Sequence, residues 1–261
     1  MASPLTVWSS TADGNAWGRN ATYETARSTN YQYGSADTFI ESAGQWWSGS
    51  QYYTYESFYS FDTSGVGADS TVTTAVLSLY AQGDVSATNF VFEARIRDWG
   101  ASLTAADWVA GDNLADYTLV AHYDSSGGWP TNAYTAFAND ALPANVAKSG
   151  TTYIMGSSDR HRIGAGPPDC TPTGQEYVRT YFADDATGGG GTDRDPKLYV
   201  EWTEGGSVPT LTTKTITEIA ATTATSGGTL TANNGTLTAY GVCWNKTGTP
   251  VVGGSHTTDG P

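Results

Sequence analysis

The sequence is poor in charged side chains, and in basic ones above all. Charged residues make up 15% of the chain, against about 25% in an average soluble protein. Only 12 Lys and Arg stand against 26 Asp and Glu, which gives a net charge of -14. Because this charge repels phosphate backbones and anionic membrane surfaces, we expect no nucleic-acid partner.

Cysteines and long apolar runs are also scarce. The two cysteines, Cys170 and Cys243, fall in different predicted domains, so we expect no disulfide between them, and their spacing fits no metal-binding motif. No apolar run approaches the ~20 residues that span a bilayer, so we expect no membrane insertion. The first residues show no signal peptide, which an intact secreted protein would need and a virion component would not.

Helical patterns are few and short, whereas period-two alternation is the dominant signal. In "NFVFEARIRD" (89–98), Phe90 and Phe92 share one face and Glu93 and Arg95 the other, which is typical of a half-buried strand. Short helical patterns occur only at 103–108 and 142–150. Further strands are predicted at 55–62, 73–80, 151–157, 176–182 and 197–202. Many short strands between polar turns predict an all-β protein with a jelly-roll-like antiparallel β-sandwich.

The composition changes after residue 203. We place the sandwich module at 1–203, a Gly/Ser linker at 204–208, and a Thr-rich segment at 209–261 that is predicted to form three strands. A segment this small buries too little apolar surface to enclose a two-sheet core by itself.

Two families are recognisable once these strands are placed. The blocks "FDTSGVGADSTVTTAVLSLYAQGD" and "TPTGQEYVRTYFADDATGGGGTDRDPKLYVEW" resemble the disaggregatase-related (DNRLRE-type) β-sandwich modules, over residues 6–203. Those modules are grouped with carbohydrate-binding modules and occur in phage-like and extracellular surface proteins. The segment "TTATSGGTLTANNGTLTAYGVCW" resembles the first half of a fibronectin type III-like repeat, which implies an incomplete immunoglobulin-like half-domain. Either the chain is cut there or another chain supplies the later strands.

The stretch "GQWWSGSQYYTYES" (44–57) is the strongest candidate for ligand contact. It is predicted to hold Trp46, Trp47, Tyr52 and Tyr53 in a Gly/Ser-rich loop, where exposed rings could stack against sugars. Trp129 is a further candidate on the same grounds. Alternatively, these rings close the open end of the sandwich or pack against a neighbouring subunit.

A second candidate site is the acidic, glycine-rich segment 183–195. Four carboxylates separated by glycines could wrap a structural calcium ion, although their spacing matches no EF-hand. The alternative is a set of solvated loop acids, so we expect no required cofactor. These four residues are Asp184, Asp185, Asp193 and Asp195.

The stretch "SSDRHR" (157–162) concentrates charge in a charge-poor chain. His161 could act as a general base oriented by Asp159, since histidine titrates near neutral pH. Alternatively, the stretch is a solvated loop whose arginines pair with local acids such as Asp169 or Glu176. Because no nucleophile or metal motif accompanies the histidine, we interpret the stretch as architectural and predict that the protein is not an enzyme.

Together these patterns predict a non-enzymatic extracellular structural or adhesion module, of the phage-fibre, appendage or filament type. Its expected partners are further copies of itself, neighbouring surface or virion proteins, and polysaccharide. Strand pairing of 209–261 is expected to drive self-assembly, because unpaired strand edges invite another chain. The alternatives are an accessory carbohydrate-binding module of a secreted polysaccharide-degrading enzyme, and a hydrolase or lyase that uses His161 with loop acids.

Overall fold

The structure is a computed structural model, and it confirms the predicted all-β class. Strands account for 46% of the chain and helices for 11%. The chain divides into two compact units, Met1–Thr203 and Glu204–Pro261. None of the helices in the described part of the chain has the length or apolar character needed to cross a bilayer. The described residues are 4–35, 40–166, 174–183, 193–205, 210–232, 239–251 and 253–259.

In the first unit, the described residues form thirteen strands and short helices. In chain order the strands are β1 (Leu5–Trp8), β2 (Gly14–Asn20), β3 (Asn30–Ser35), β4 (Ile40–Trp47), β5 (Tyr52–Asp62), β6 (Thr71–Asp84), β7 (Val91–Ile96), β8 (Leu119–Asp124), β9 (Ala133–Ala136), β10 (Ala138–Asn139), β11 (Thr151–Ser158), β12 (Gln175–Thr180) and β13 (Lys197–Thr203). The helices are α1 (Tyr23–Ala26), α2 (Leu142–Asn145) and α3 (Asp159–Ile163), with 3₁₀ turns at Ala105–Asp107, Gly111–Asp116 and Ser125–Gly127.

The strands pair antiparallel along one path, in the order β1-β13-β6-β12-β4-β5-β11-β7-β8-β10, while β2 and β3 extend from β5 and β9 pairs with β6. Side chains from distant strands of this path meet in one buried cluster. Phe61 of β5, Phe92 of β7 and Leu198 of β13 all belong to it. The sheet therefore folds over on itself as a β-sandwich, with its main core between the two layers.

A second core lies on the opposite face of β5 and β11. Phe58 and Met155 project from that face and pack with Trp99, Trp108 and Leu114. The segment that contributes these last three residues, 99–116, covers the outer face of the strands. Strand β5 is consequently buried on both faces from Thr54 to Phe61.

The second unit, described by itself, contains two short antiparallel pairs. Strand β14 (Thr210–Thr213) pairs with β15 (Gly228–Ala232), and β16 (Cys243–Trp244) pairs with β17 (Ser255–His256). Apolar side chains are widely exposed here, including Ile219 at 75%. Cys243 carries a free thiol.

Candidate functional site

The aromatic stretch at 46–53 forms a β-hairpin. Trp46 and Trp47 end β4, Tyr52 and Tyr53 begin β5, and Trp46 lies opposite Tyr53 across the pair. The backbone N–H of Ser48 donates to the Gln51 carbonyl at 3.0 Å and closes the turn. The prediction of a loop was wrong for the aromatic residues, because only the four residues of the turn leave the strands.

The hairpin divides the four aromatic residues between its two faces. Neighbouring residues of a strand point to opposite sides, so Trp46 with Tyr53 and Trp47 with Tyr52 form separate pairs. The Trp46 and Tyr53 rings stack with centroids 5.1 Å apart, and the Trp47 and Tyr52 rings lie 4.4 Å apart. Tyr23 of α1 packs edge-on against Tyr52 at 5.7 Å. The four residues therefore do not form one ligand surface.

The Trp46 face continues as an aromatic stripe and borders a small cavity. Tyr55 follows Tyr53 on the same face of β5, with ring centroids 6.3 Å apart, and Trp17 of β2 lies opposite Tyr55. The cavity has a volume of about 180 Å³. Its lining residues are Asn15, Trp17, Glu41, Trp46, Tyr53 and Tyr55.

Four lining residues of this cavity were missed by sequence reasoning, namely Asn15, Trp17, Glu41 and Tyr55. In "GNAWGRN" (14–20), alternation places Asn15, Trp17 and Arg19 on one face of a strand. This pattern was available in the sequence. The sequence does not show that β2 pairs with β5 and brings Trp17 beside Tyr55, because this pairing joins segments more than thirty residues apart.

Polar groups of the cavity wall are fixed by hydrogen bonds. The Asn15 side chain is 1% exposed, and its Nδ2 donates to the Glu41 carbonyl at 3.3 Å. The Glu41 carboxylate accepts from Arg179 Nη2 at 3.0 Å. The Arg19 guanidinium lies 5.4 Å from the centre of the Tyr53 ring. Burial raises the pKa of the Tyr55 hydroxyl, so this group stays protonated.

Trp129 belongs to the core and not to a ligand surface. Its side chain is 5% exposed and packs on Tyr123, Phe92 and Phe137, with the Tyr123 centroid at 4.5 Å. Since a sugar needs a free ring face, the prediction that Trp129 contacts a glycan was wrong. Its local sequence, "GGWPTN", looks like a solvated turn, but the ring inserts between the layers.

The acids predicted to bind calcium are only partly described. Asp193 is exposed and Asp195 is 7% exposed, with the Asp195 carbonyl accepting from the Tyr134 hydroxyl at 2.9 Å. Asp184 and Asp185 lie outside the described residues. Within the described ranges, no three acidic, histidine or cysteine side chains come together as a metal site.

His161 lies on α3 and is completely buried. The Ser158 hydroxyl caps this helix by accepting from the Arg160 N–H at 3.0 Å. The His161 ring stacks on Trp108 with centroids 5.0 Å apart, and its Nε2 lies 3.3 Å from the Arg27 carbonyl. Burial lowers the pKa of His161 to about 4, so the imidazole is neutral at pH 7.

Glu56 of β5 is buried against the same histidine. Its Oε2 accepts from the Val109 N–H at 3.0 Å, while its Oε1 lies 3.8 Å from His161 Nδ1. Burial raises the pKa of the Glu56 carboxyl well above its ordinary value. Burial thus disfavours the charged form of both groups inside the second core.

The remaining residues of 157–162 form ion pairs and a helix cap. Arg160 pairs with Glu176 at 3.3 Å, as one of the two alternatives predicted, whereas Asp169 lies outside the described residues. Asp159 Oδ1 accepts from the Val91 N–H at 2.9 Å and does not orient His161. The solvated loop of that alternative was wrong: the stretch 159–163 is helical and its histidine is buried.

The fold and the hairpin thus define a β-sandwich protein with a small aromatic cavity at the end of its β4–β5 hairpin. No protein-family model and no curated protein matches the sequence. The resemblance to disaggregatase-related modules therefore stays a prediction that rests on the residues quoted for it.

Proposed function

We propose that this protein is a non-enzymatic structural or adhesion module that acts outside the cell and binds a glycan on the Trp46 face of its β4–β5 hairpin. The observation that carries this proposal is the cavity of about 180 Å³ bordered by Trp17, Trp46, Tyr53 and Tyr55. Aromatic side chains give rigid contact area at low conformational-entropy cost, which suits the apolar C–H faces of sugar rings.

The size of the cavity limits what it holds. Pockets that enclose drug-sized ligands have volumes of about 300–1,000 Å³, so this cavity takes one sugar ring of a longer chain. A single ring gives low affinity. Several linked copies of the module would raise the overall affinity without new contacts, which connects glycan binding to assembly.

A glycan array probed with the full-length chain tests this proposal. We expect saturable binding that Trp46→Ala weakens at least about tenfold, because a central aromatic contact is commonly worth that much. Trp47→Ala is the matched control, since it removes the same ring from the opposite face of the hairpin. A blank array, or equal losses in the two variants, would contradict the proposed site.

The absence of catalysis is part of the proposal, and the state of His161 supports it. The imidazole is fully buried, its pKa is lowered to about 4, and Asp159 bonds the Val91 N–H instead. A general base needs access to a substrate proton, which this position does not offer. Release of sugar ends from a polysaccharide panel by the purified chain would overturn this part.

Self-assembly through the second unit is the other part of the proposal. Leu211 of β14 and Leu230 of β15 are directly paired on one face of their two-stranded sheet, and they are 63% and 41% exposed. An isolated two-stranded pair is marginally stable, and a further strand or sheet packed on it would cover this apolar pair. A second copy of the chain supplies both.

Light scattering of the full chain over a concentration series tests assembly. We expect a concentration-dependent increase in mass that Leu211→Glu combined with Leu230→Glu abolishes. Thr222→Glu, an equally exposed position outside the strands, is the control for added charge. A constant monomer mass at high concentration would overturn self-assembly.

A second candidate function is the accessory carbohydrate-binding module of a polysaccharide-degrading enzyme. The same aromatic cavity favours it, whereas the exposed Leu211 and Leu230 pair favours assembly. Glycan binding by a strictly monomeric chain would support the accessory module over the adhesion module.

A further inference from the structure

Asn15, which lines the cavity beside the hairpin, has a buried polar atom that the described residues do not satisfy. Asn15 lines the cavity and is 1% exposed. Its Nδ2 is engaged by the Glu41 carbonyl at 3.3 Å. Among the described residues, none donates a hydrogen bond to Asn15 Oδ1.

Twelve buried side-chain atoms of the described residues lack a hydrogen-bond partner, and Asn15 Oδ1 is the one whose residue lines this cavity. More than about 90% of buried polar groups have a hydrogen-bond partner, and an exception calls for a physical explanation. Asn15 Oδ1 is an acceptor with two lone pairs, so its missing partner is a donor, such as a hydroxyl or an amide N–H. The position of Asn15 in the wall of an aromatic cavity suggests that a ligand supplies this donor.

The charge of the cavity wall indicates which kind of sugar ring fits the cavity. Of the six described lining residues, none is basic, and the one charged side chain is Glu41, which Arg179 pairs at 3.0 Å. The faces of the lining rings carry negative partial charge as well. Arg19 lies against the Tyr53 ring but donates to Gln51, and Arg179 pairs with Glu41, so an uncharged ring with donor groups fits this wall better than an anionic sugar such as a uronic acid.

We propose that the cavity is a subsite for one uncharged sugar ring, and that Asn15 is its specificity-determining residue. Asn15 Oδ1 accepts a hydrogen bond from a hydroxyl or an acetamido N–H of that ring, while the aromatic side chains contact its C–H groups. This inference rests on the proposed glycan-binding function and names the sugar chemistry that the site selects.

The local structure holds Asn15 ready for this role. Strand β2 lies between β3 and β5, and Asn15 is opposite Ser57 of β5 and Gly34 of β3, so its backbone is fixed on both sides. The bond to the Glu41 carbonyl fixes the amide plane. A preorganised acceptor loses little entropy on binding, and a site built to receive a donor strongly rejects an analogue that lacks it.

Titration of the ¹⁵N-labelled full chain followed by NMR tests the contact directly. The probes are the methyl glycosides of glucose, galactose, N-acetylglucosamine and glucuronic acid. We expect at least one uncharged probe to shift the side-chain amide signals of Asn15, and the glucuronide to leave them unchanged. Asn20, at the end of the same strand, is the internal control, and its side-chain signals should not move.

Variants then measure the contribution of the contact. We expect Asn15→Ala to weaken binding of the uncharged probe about tenfold, which is the usual effect of losing one buried hydrogen bond. Trp46→Ala should abolish binding and Trp47→Ala should leave it unchanged. If circular dichroism shows that Asn15→Ala does not fold, the contact is tested on the wild-type chain with monodeoxy analogues of the probe. One of these analogues should bind about tenfold more weakly than the rest.

The outcomes separate this inference from the function on which it rests. If neither the probes nor a glycan array shows binding, the proposed function fails and the subsite fails with it. If Trp46→Ala abolishes binding while Asn15→Ala and every monodeoxy analogue bind normally, glycan binding stands and the role of Asn15 is overturned. Preferential binding of the glucuronide overturns the selection of uncharged rings.

Discussion

Glu56 Oε1 and His161 Nδ1 lie 3.8 Å apart, and both side chains are fully buried. The two groups come from β5 and α3, which are more than a hundred residues apart in the sequence. Burial moves their pKa values in opposite directions, raising that of Glu56 and lowering that of His161 to about 4. Burial thus favours the protonated carboxyl group and the neutral imidazole, whereas in the unfolded chain the histidine is the stronger base.

These opposite pKa shifts predict that the free energy of unfolding changes little with pH in weak acid. Between pH 4.5 and 6.5, the ordinary pKa values of the two groups, the raised pKa of Glu56 lowers stability as pH rises while the lowered pKa of His161 increases it, so the two contributions oppose each other. Above pH 6.5 only the contribution of Glu56 remains, so stability falls as pH rises until the raised pKa of Glu56 is reached. Below pH 4.5 the unfolded chain takes a second proton and stability falls again.

Urea denaturation between pH 4 and pH 9 measures this profile. We expect the free energy of unfolding to fall by up to about 1.4 kcal/mol per pH unit above pH 6.5, until the raised pKa of Glu56 is reached. Glu56→Gln removes the carboxyl proton and should flatten this decline relative to wild type. Equal alkaline slopes in the two proteins would show that Glu56 is ionised in the folded state.

Arg27 joins three segments of the second core. Its Nε donates to the His161 carbonyl and its Nη2 to the Arg162 carbonyl, both at 2.9 Å, and its Nη1 pairs with Glu24 and Asp112. We expect Arg27→Ala to cost about 2–4 kcal/mol of stability, because two carbonyl groups lose their charged donor. Thermal or urea unfolding measures the loss.

The two carboxylates provide the matched controls for Arg27. The side chains of Glu24 and Asp112 are 71% and 81% exposed, so Glu24→Gln and Asp112→Asn should each cost less than about 1 kcal/mol. If these variants lose as much stability as Arg27→Ala, the ion pairs hold the segments together and the carbonyl bonds do not.

Local alternation predicted six of the thirteen strands described in the first unit, namely β5, β6, β7, β11, β12 and β13. The stretch 197–202 lies in β13, where buried and half-buried residues alternate as predicted. The stretch 89–98 contains β7, but Glu93 and Arg95 are buried as well, so the prediction of a half-buried strand was wrong there. The helical pattern predicted at 103–108 contains a capping box of Thr104 and Asp107, which begins a 3₁₀ turn. These features depend on residues that are close in sequence, which is why the sequence reveals them.

Features that depend on distant segments were not predicted. His161 stands in a charged hexapeptide that looks solvated, and its burial is decided by Trp108 and Arg27. The aromatic hairpin is an intermediate case. Once Trp46 and Trp47 are known to lie in a strand, alternation alone places them on opposite faces, but the Gly and Ser residues around them favoured a loop.

Gly18 lies where two backbone segments meet, and it tests the packing between β2 and α1. A Cβ at this position would collide with the Ala26 carbonyl and lie 2.9 Å from both the Thr29 carbonyl and the Trp108 ring. We expect Gly18→Ala to cost about 1–3 kcal/mol or more, since backbone atoms cannot move aside cheaply. Gly83 of β6 has open space instead, so Gly83→Ala should be neutral or slightly stabilising. Similar thermal midpoints for the two variants would contradict the tight contact.

Variants of Trp129 and Trp46 distinguish a loss of folding stability from a loss of glycan binding. Trp129 is 5% exposed inside the main core, so Trp129→Ala should cost about 3–5 kcal/mol, the usual penalty for deleting a large core ring. Trp46 is half-buried at the end of β4, so Trp46→Ala should cost much less stability while it removes glycan binding. Urea denaturation and glycan binding, measured on both variants below their unfolding transitions, check this division. Loss of glycan binding in a Trp129→Ala protein that still folds would contradict this division, because it would show that the Trp129 ring contributes to the ligand surface.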